Sequence, residues 1–76
     1  MTTARYEVWA WRDGANTARR PDEMDLLNTP REATDCARDF IRRNERVEIN
    51  RIAMDDDFNR IDYARVAVYE FGIKTA

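Results

Sequence analysis

Four aspartates in one short segment are the clearest candidates for chemistry in this 76-residue chain. The segment RIAMDDDFNRIDY, residues 51–63, contains Asp55, Asp56, Asp57 and Asp62. Carboxylates at this density suit three uses: oxygen ligands for calcium, a negative surface that attracts a basic groove, and a solvated turn between two strands. Each use demands different neighbouring residues.

A calcium loop is the least supported of the three uses. Asp55, Asp57 and Asn59 match the alternate ligand positions at the start of such a loop. However, Arg60 stands where the loop needs glycine for its sharp turn, and Val66 stands where it needs a bidentate glutamate. We therefore predict no metal site, and the solvated turn and the acidic interaction surface remain as alternatives.

Missing residue types restrict the catalytic chemistry further. The chain contains no histidine, serine or glutamine, one cysteine (Cys36), and glycine only at positions 14 and 72. Serine–histidine and cysteine–histidine catalysis, structural zinc sites and glycine-rich phosphate loops are thereby excluded. Carboxylate pairs can perform acid–base chemistry, but so small a core would hold them poorly. We expect a non-enzymatic protein without a cofactor, with Cys36 as a small core residue.

Composition predicts one small globular domain over residues 1–76. The net charge is −2, and 43% of the residues are hydrophobic. The charged fraction is 37%, well above the ~25% of average domains. No positively charged region followed by an apolar run and no apolar segment of membrane-spanning length occurs, so we expect a cytoplasmic protein that does not enter a membrane.

Periodicity predicts strands at both ends of the chain. Residues 4–14, ARYEVWAWRDG, alternate in the manner of a strand that ends in a turn. Residues 15–23, ANTARRPDE, predict a loop, and EMDLLN at 23–28 is a possible short strand. RVEINRIAM and IDYARVAVYEFGI are rich in β-branched and aromatic residues, so they predict a hairpin with the acidic segment at its tip.

The segment NTPREATDCARDFIRRN predicts one amphipathic helix. Thr29 is the expected N-cap, Pro30 the first helical residue and Glu32 the capping-box residue. The residues expected on its packed side are Ala33, Cys36, Ala37, Phe40 and Ile41. Asn44 is the expected left-handed cap at the carboxyl end.

These elements predict an α+β fold: a small antiparallel β-sheet of three or four strands with one α-helix packed on one face. The expected order is strand, possible short strand, helix, strand, strand. Small side chains allow a helix to approach a sheet closely, which assigns the core to Val8, Ala10, Val66 and Val68 with Phe40 and Ile41.

The opposite face of the sheet is then expected to carry large aromatic rings. The residues expected there are Trp9, Trp11, Tyr63, Tyr69 and Phe71, with Arg5 and Arg65 among them. Exposed aromatic residues usually mark an interface. Three other interpretations stay open: the rings form the core, the face closes a homodimer, or it binds single-stranded nucleic acid by stacking. The negative net charge disfavours the last.

The segments YEVWAWRDG and TPREATDCARDF, with the length, weak negative charge and layout of the chain, resemble those of small phage-encoded anti-CRISPR proteins. The resemblance implies a mode of action, which is occupation of a nucleic-acid groove or protein docking face on a CRISPR effector inside a bacterial host cell. Some members of that class present carboxylates where DNA phosphates would lie, as Asp55–Asp57 with Asp62 could do here.

The expected function is therefore that of an inhibitor or adaptor which binds a larger protein or ribonucleoprotein complex. Its candidate contacts are the acidic hairpin and the aromatic sheet face. The alternative is a small single-stranded nucleic-acid-binding module that uses the aromatic and arginine residues of the sheet.

Overall fold

The segments rich in β-branched and aromatic residues form strands, and the segment that follows Thr29 forms a helix. The computed structural model describes residues 3–76. In chain order the elements are β1 (Thr3–Trp11), β2 (Glu23–Leu27), α1 (Pro30–Phe40), β3 (Arg46–Met54), β4 (Arg60–Glu70) and β5 (Ile73–Lys74). The strands form one antiparallel sheet in the order β2-β1-β3-β4-β5.

The α+β class with one helix on an antiparallel sheet is confirmed, but the predicted number of strands is wrong. The sheet has five strands rather than three or four, and the possible short strand at 23–28 is β2. The fifth strand follows a turn in which Phe71 and Gly72 both have positive φ, 51° and 81°. A strand of two residues is too short to show an alternating pattern, so no local pattern predicts β5.

Local sequence determines both ends of α1. The Thr29 hydroxyl oxygen accepts a hydrogen bond from the Glu32 backbone N–H (3.1 Å), and the hydroxyl donates to Glu32 Oε1 (3.0 Å). At the other end, Asn44 Nδ2 donates to the carbonyl oxygen of Phe40 (2.9 Å). The N-cap is as predicted, whereas Asn44 closes the helix with its side chain and not with a left-handed backbone.

The core lies between α1 and one face of the sheet. Its buried members are Val8, Ala10, Ala33, Ala37, Phe40, Val47, Ile49 and Ala67, and Tyr6, Leu27, Cys36, Ile41 and Tyr69 pack against them. The predicted core residues Val8, Ala10 and Phe40 are confirmed, and Ile41 packs at the margin. Val66 and Val68 are not part of this core.

A β-bulge in β4 explains why the core prediction was wrong for Val66 and Val68. Ile49 pairs with Ala67, but the next residue, Asn50, pairs with Arg65, so Val66 has no residue opposite it. Val66 is 51% exposed. One extra residue reverses the faces of everything on one side of it, so Ala67 faces the helix and Val68 is buried on the opposite side of the sheet.

No helix within residues 3–76 is both long enough and apolar enough to cross a membrane.

Candidate interaction surface

Within residues 3–76, no helix packs on the sheet face opposite α1, which is called the open face below. Residues that are directly opposite in neighbouring strands share a face, so the strand register assigns its side chains. They are Met24 and Leu26 in β2; Arg5, Glu7, Trp9 and Trp11 in β1; Arg46, Glu48, Asn50, Ile52 and Met54 in β3; and Arg60, Tyr63, Arg65, Val68 and Glu70 in β4.

Two aromatic rings meet on the open face. The ring centroids of Trp9 and Tyr63 lie 6.4 Å apart with a tilt of 37°. Tyr63 is 57% exposed and Trp9 is half-buried. Trp9 also stands edge-on to Trp11, at 6.3 Å and 82°. The structure therefore brings Trp9, Tyr63 and Arg65 to one face, as the sequence predicted.

Trp11 points to the same face, but it is only 4% exposed, so its predicted exposure is wrong. The loop at 12–22 provides a partner for it, because Trp11 Nε1–H donates to the carbonyl oxygen of Arg19 (2.9 Å). The loop is fixed to the end of β1 by hydrogen bonds from Asp22 N–H to Ala10 O (2.8 Å) and from Arg12 N–H to Asp22 Oδ2 (2.9 Å). Alternation along a strand carries no information about where such a loop folds back.

Tyr69 and Phe71 do not lie on the open face, and the prediction for both is wrong. Tyr69 pairs with Val47 and packs on the core beside the helix, because the bulge at Val66 reverses its direction. Phe71 lies beyond the end of β4, in the turn to β5, and is 73% exposed. The sequence was therefore correct for the residues before the bulge and wrong for those after it.

A network of ion pairs, which no local pattern in the sequence predicts, runs across the open face. Glu7 is buried, and its carboxylate accepts hydrogen bonds from Trp9 Nε1 (3.2 Å) and from Arg60 Nη2 (2.8 and 2.7 Å). Arg60 is the first residue of β4 and reaches across β3 to make this contact. The orientation of the Trp9 ring is thus held by the carboxylate of Glu7, which is ion-paired with Arg60.

A second buried carboxylate, Glu48, gathers two further arginines. Arg46 Nε donates to Glu48 Oε2 (2.9 Å), and Arg46 Nη1 donates to Glu70 Oε1 (2.5 Å). Arg65 Nη2 lies 3.6 Å from Glu48 Oε1. Buried carboxylates require such partners. The charged residues that alternate with apolar ones in β1 and β3 were the available signal.

Asn50 lies at the centre of the open face, between Glu7 on β1 and Arg65 on β4. It is 1% exposed, and neither its Nδ2 nor its Oδ1 has a hydrogen-bond partner among the described residues. Trp9 and Tyr63 lie in the rows on either side, so their rings meet above this position. An unsatisfied buried amide costs about 1–3 kcal/mol.

The acidic segment forms the tip of the β3–β4 hairpin, and Asp55 organises it. One carboxylate oxygen of Asp55 accepts from the backbone N–H groups of Asp57 and Asn59, both at 2.9 Å. Phe58 adopts a positive φ of 62° within this turn. The side chain of Asp55 therefore closes the turn, while Asp56 and Asp57 are exposed.

Asp62 does not join that tip. It pairs with Ala53, which pairs with Ala4, so its side chain belongs to the sheet face that carries α1. Its carboxylate accepts from the N–H of Tyr63 (2.8 Å). The predicted set of four aspartates thus separates into a tip of three and one residue on another surface. Within residues 3–76, no cluster of three or more acidic or cysteine side chains is arranged to hold a metal ion.

Comparisons of this chain with protein-family models, with curated proteins and with solved structures found no match.

Proposed function

We propose that this protein is a non-enzymatic inhibitor or adaptor that docks on a larger protein or ribonucleoprotein complex through its open face. The observation that carries the proposal is the pair of rings formed by the half-buried Trp9 and the exposed Tyr63, which α1 leaves uncovered. Aromatic anchors surrounded by polar groups are typical of the centre of a protein interface. The resemblance to anti-CRISPR proteins adds a candidate partner, a CRISPR effector complex.

The charges on the open face favour a protein surface over a nucleic-acid backbone. Arg46, Arg60 and Arg65 all lie against carboxylates, which leaves Arg5 as the one arginine of this face without an ion pair among the described residues. Phosphate contacts dominate the affinity of nucleic-acid binders, and they require cations that are free to replace counterions. Paired arginines can still donate hydrogen bonds at the rim of a protein interface.

The state of the thiol supports a non-enzymatic role. Burial, and to a smaller extent the nearby carboxylates of Asp25 and Asp39, raise the pKa of Cys36 to about 11. The thiolate is the nucleophilic form of cysteine, so Cys36 is unreactive near neutral pH. Glu7 and Glu48, the buried carboxylates of the open face, are held by arginines and are not free to act as general bases.

Photo-crosslinking tests where the partner docks. A photoreactive phenylalanine analogue at position 63 should crosslink to a partner in a bacterial lysate, whereas the same analogue at the exposed helix position 34 should not. Nuclease treatment before illumination separates a protein partner from a nucleic acid. Crosslinking only from position 34, or a nuclease-sensitive adduct without protein, would contradict docking of a protein on the open face.

The inhibitory role is tested separately by phage plaque formation on strains that each carry one active CRISPR effector. The protein should restore plaques on at least one strain, and Tyr63→Ala should abolish the effect, because loss of an aromatic anchor costs about 2 kcal/mol or more of binding. Arg31→Ala on the exposed side of α1 is the control. Failure on every strain would reject the anti-CRISPR role.

A further inference from the structure

A cleft of about 580 Å³ lies between the loop at 12–22 and the Trp9 edge of the open face; we call it the loop cleft. Trp9 and Trp11 contribute aromatic rings to it, Pro21 and Met24 contribute aliphatic surface, and Arg20 and Arg60 contribute guanidinium groups. Its volume is in the range of small-molecule sites, roughly 300–1,000 Å³. The combination of flat aromatic surface and cationic groups defines which ligands would fit.

Hydrogen bonds and ring contacts position the aromatic part of the loop cleft. Trp9 is held at its indole N–H by Glu7, and its ring centroid lies 6.3 Å from that of Trp11 and 6.4 Å from that of Tyr63. Trp11 is held by its hydrogen bond to Arg19 O. A planar ligand ring that stacks on Trp9 therefore meets a surface that is already ordered, and little conformational entropy is lost on binding.

The walls of the loop cleft are fixed as well. Asp22 bonds to both Ala10 O and Arg12 N–H, through its own backbone and side chain respectively. Gly14 N–H donates to Glu45 Oε1 (2.8 Å), which attaches the first part of the loop to the residue before β3. The cleft is thus a preformed feature of the loop and strand, as ligand sites usually are.

The charged side chains that line the loop cleft are mainly positive, whereas the whole chain has a negative net charge. The chain carries a net charge of −2, whereas the charged lining of the cleft consists of Arg19, Arg20, Arg60 and one carboxylate, Asp22. Arg19 pairs with Asp22, and Arg60 pairs with Glu7. Arg20 is exposed, with no ion pair or hydrogen bond among the described residues. It supplies a guanidinium that is available to an anion.

We infer that the loop cleft binds a nucleotide, with the base stacked on Trp9 and the phosphate at Arg20. Nucleobases stack favourably on aromatic rings, and a guanidinium binds phosphate by charge-assisted hydrogen bonds. One unpaired arginine suits a single phosphate and not the continuous backbone of a long strand. The ligand is a free mononucleotide or the phosphorylated terminal nucleotide of a single strand. This site does not depend on the docking role proposed above.

Tryptophan fluorescence, excited at the red edge where nucleobases do not absorb, tests the site. Adenosine monophosphate should quench the emission saturably, and adenosine should bind about tenfold more weakly because it lacks the phosphate. Arg20→Gln should lower the affinity for the monophosphate to that for adenosine and leave adenosine binding unchanged. Arg31→Gln, which removes the same charge from the exposed side of α1, should change neither affinity.

The indole N–H resonances of Trp9 and Trp11 provide a second readout, since binding in the loop cleft should shift them in wild-type protein. A short single strand with a 5′-phosphate distinguishes the two sources: tighter binding than the monophosphate identifies a strand end, and equal or weaker binding identifies a free nucleotide. Absence of saturation with every nucleotide probe at millimolar concentration, or equal affinity for the monophosphate in wild type and Arg20→Gln, would overturn the inference.

Discussion

Asn50 is the residue whose chemistry fits its surroundings least. A buried amide normally bonds to its neighbours, yet both polar atoms of this side chain lack a partner among the described residues. Its strand neighbours on either side, Glu7 and Arg65, are engaged with Arg60 and Glu48. The amide is therefore surrounded by groups that are already satisfied, under a cover of two aromatic rings.

Replacing this amide tests whether it lowers stability. Asn50→Val removes both unsatisfied atoms and introduces a β-branched side chain that suits a central strand. We expect the free energy of unfolding to rise by about 1 kcal/mol or more, since the desolvation cost is no longer incurred. Urea unfolding should show a higher midpoint with an unchanged slope. A lower midpoint would mean that Asn50 makes a hydrogen bond in solution that offsets its burial.

At the scale of an element, two aspartates of the hairpin tip have different roles: the side chain of Asp55 holds the turn by hydrogen bonds, whereas that of Asp57 contributes only charge. Asp55→Ala removes the acceptor for two backbone N–H groups, so we expect a loss of about 1 kcal/mol in the free energy of unfolding. Asp57→Ala removes the same charge but no acceptor of the turn, so thermal unfolding should shift much less. Both variants should slow association with a basic partner equally, because steering depends on charge. Equal destabilisation would contradict the turn assignment.

Which parts of the fold the sequence could predict depends on the range of the interaction. The start of α1 is determined by Thr29, Pro30 and Glu32, which are adjacent, and it was predicted to the residue. The faces of β4 depend on one bulged residue, Val66, whose position is set by pairing with a strand elsewhere in the chain. Alternation predicts a face only while the register is unbroken, which explains why Tyr63 was placed correctly and Tyr69 was not.

Some residues of the candidate surface were predictable from the sequence, but the contacts among them were not. Trp9 and Tyr63 stood out as aromatic residues at alternating positions. The pairing of Glu7 with Arg60 joins residues that are 53 positions apart, and only the strand order β1-β3-β4 brings them together. The burial of Trp11 likewise depends on the path of the loop at 12–22. Contacts across strands and loops were therefore beyond the reach of local patterns.

At the scale of the whole molecule, the number of strands explains why a face is left for binding. Five strands spaced about 4.8 Å apart form a sheet roughly 20 Å wide, whereas one helix with its side chains is about 10 Å across. The described residues extend over 37 × 25 × 19 Å. A single helix thus covers only part of one face, and the loop at 12–22 covers only the Trp11 end of the other.

Because one helix covers only part of the sheet, the contacts that attach the edge strand β2 to the end of α1 are important. β2 is an edge strand, and its first residue, Glu23, accepts hydrogen bonds from Arg43 (2.7 to 3.0 Å) and from Asn44 (2.6 Å), just beyond the end of α1. The hydrogen bonds from Arg43 and then Asn44 hold the pKa of Glu23 below its ordinary value. This carboxylate therefore links protonation to the packing of sheet and helix.

Acid unfolding should reveal that linkage. Because the pKa of Glu23 is lower in the folded than in the unfolded protein, its stabilising effect is complete above the ordinary glutamate pKa of about 4.5 and is lost as the pH falls through the folded value. Glu23→Gln should lower the free energy of unfolding by about 1–2 kcal/mol at neutral pH and much less near pH 3, so that its stability curve is flatter in acid. Asp35→Asn, which removes one carboxylate from an exposed pair at 3.9 Å, is the charge-matched control. Parallel curves for wild type and Glu23→Gln from neutral to acid pH would show that β2 is held to the helix by packing and not by this carboxylate.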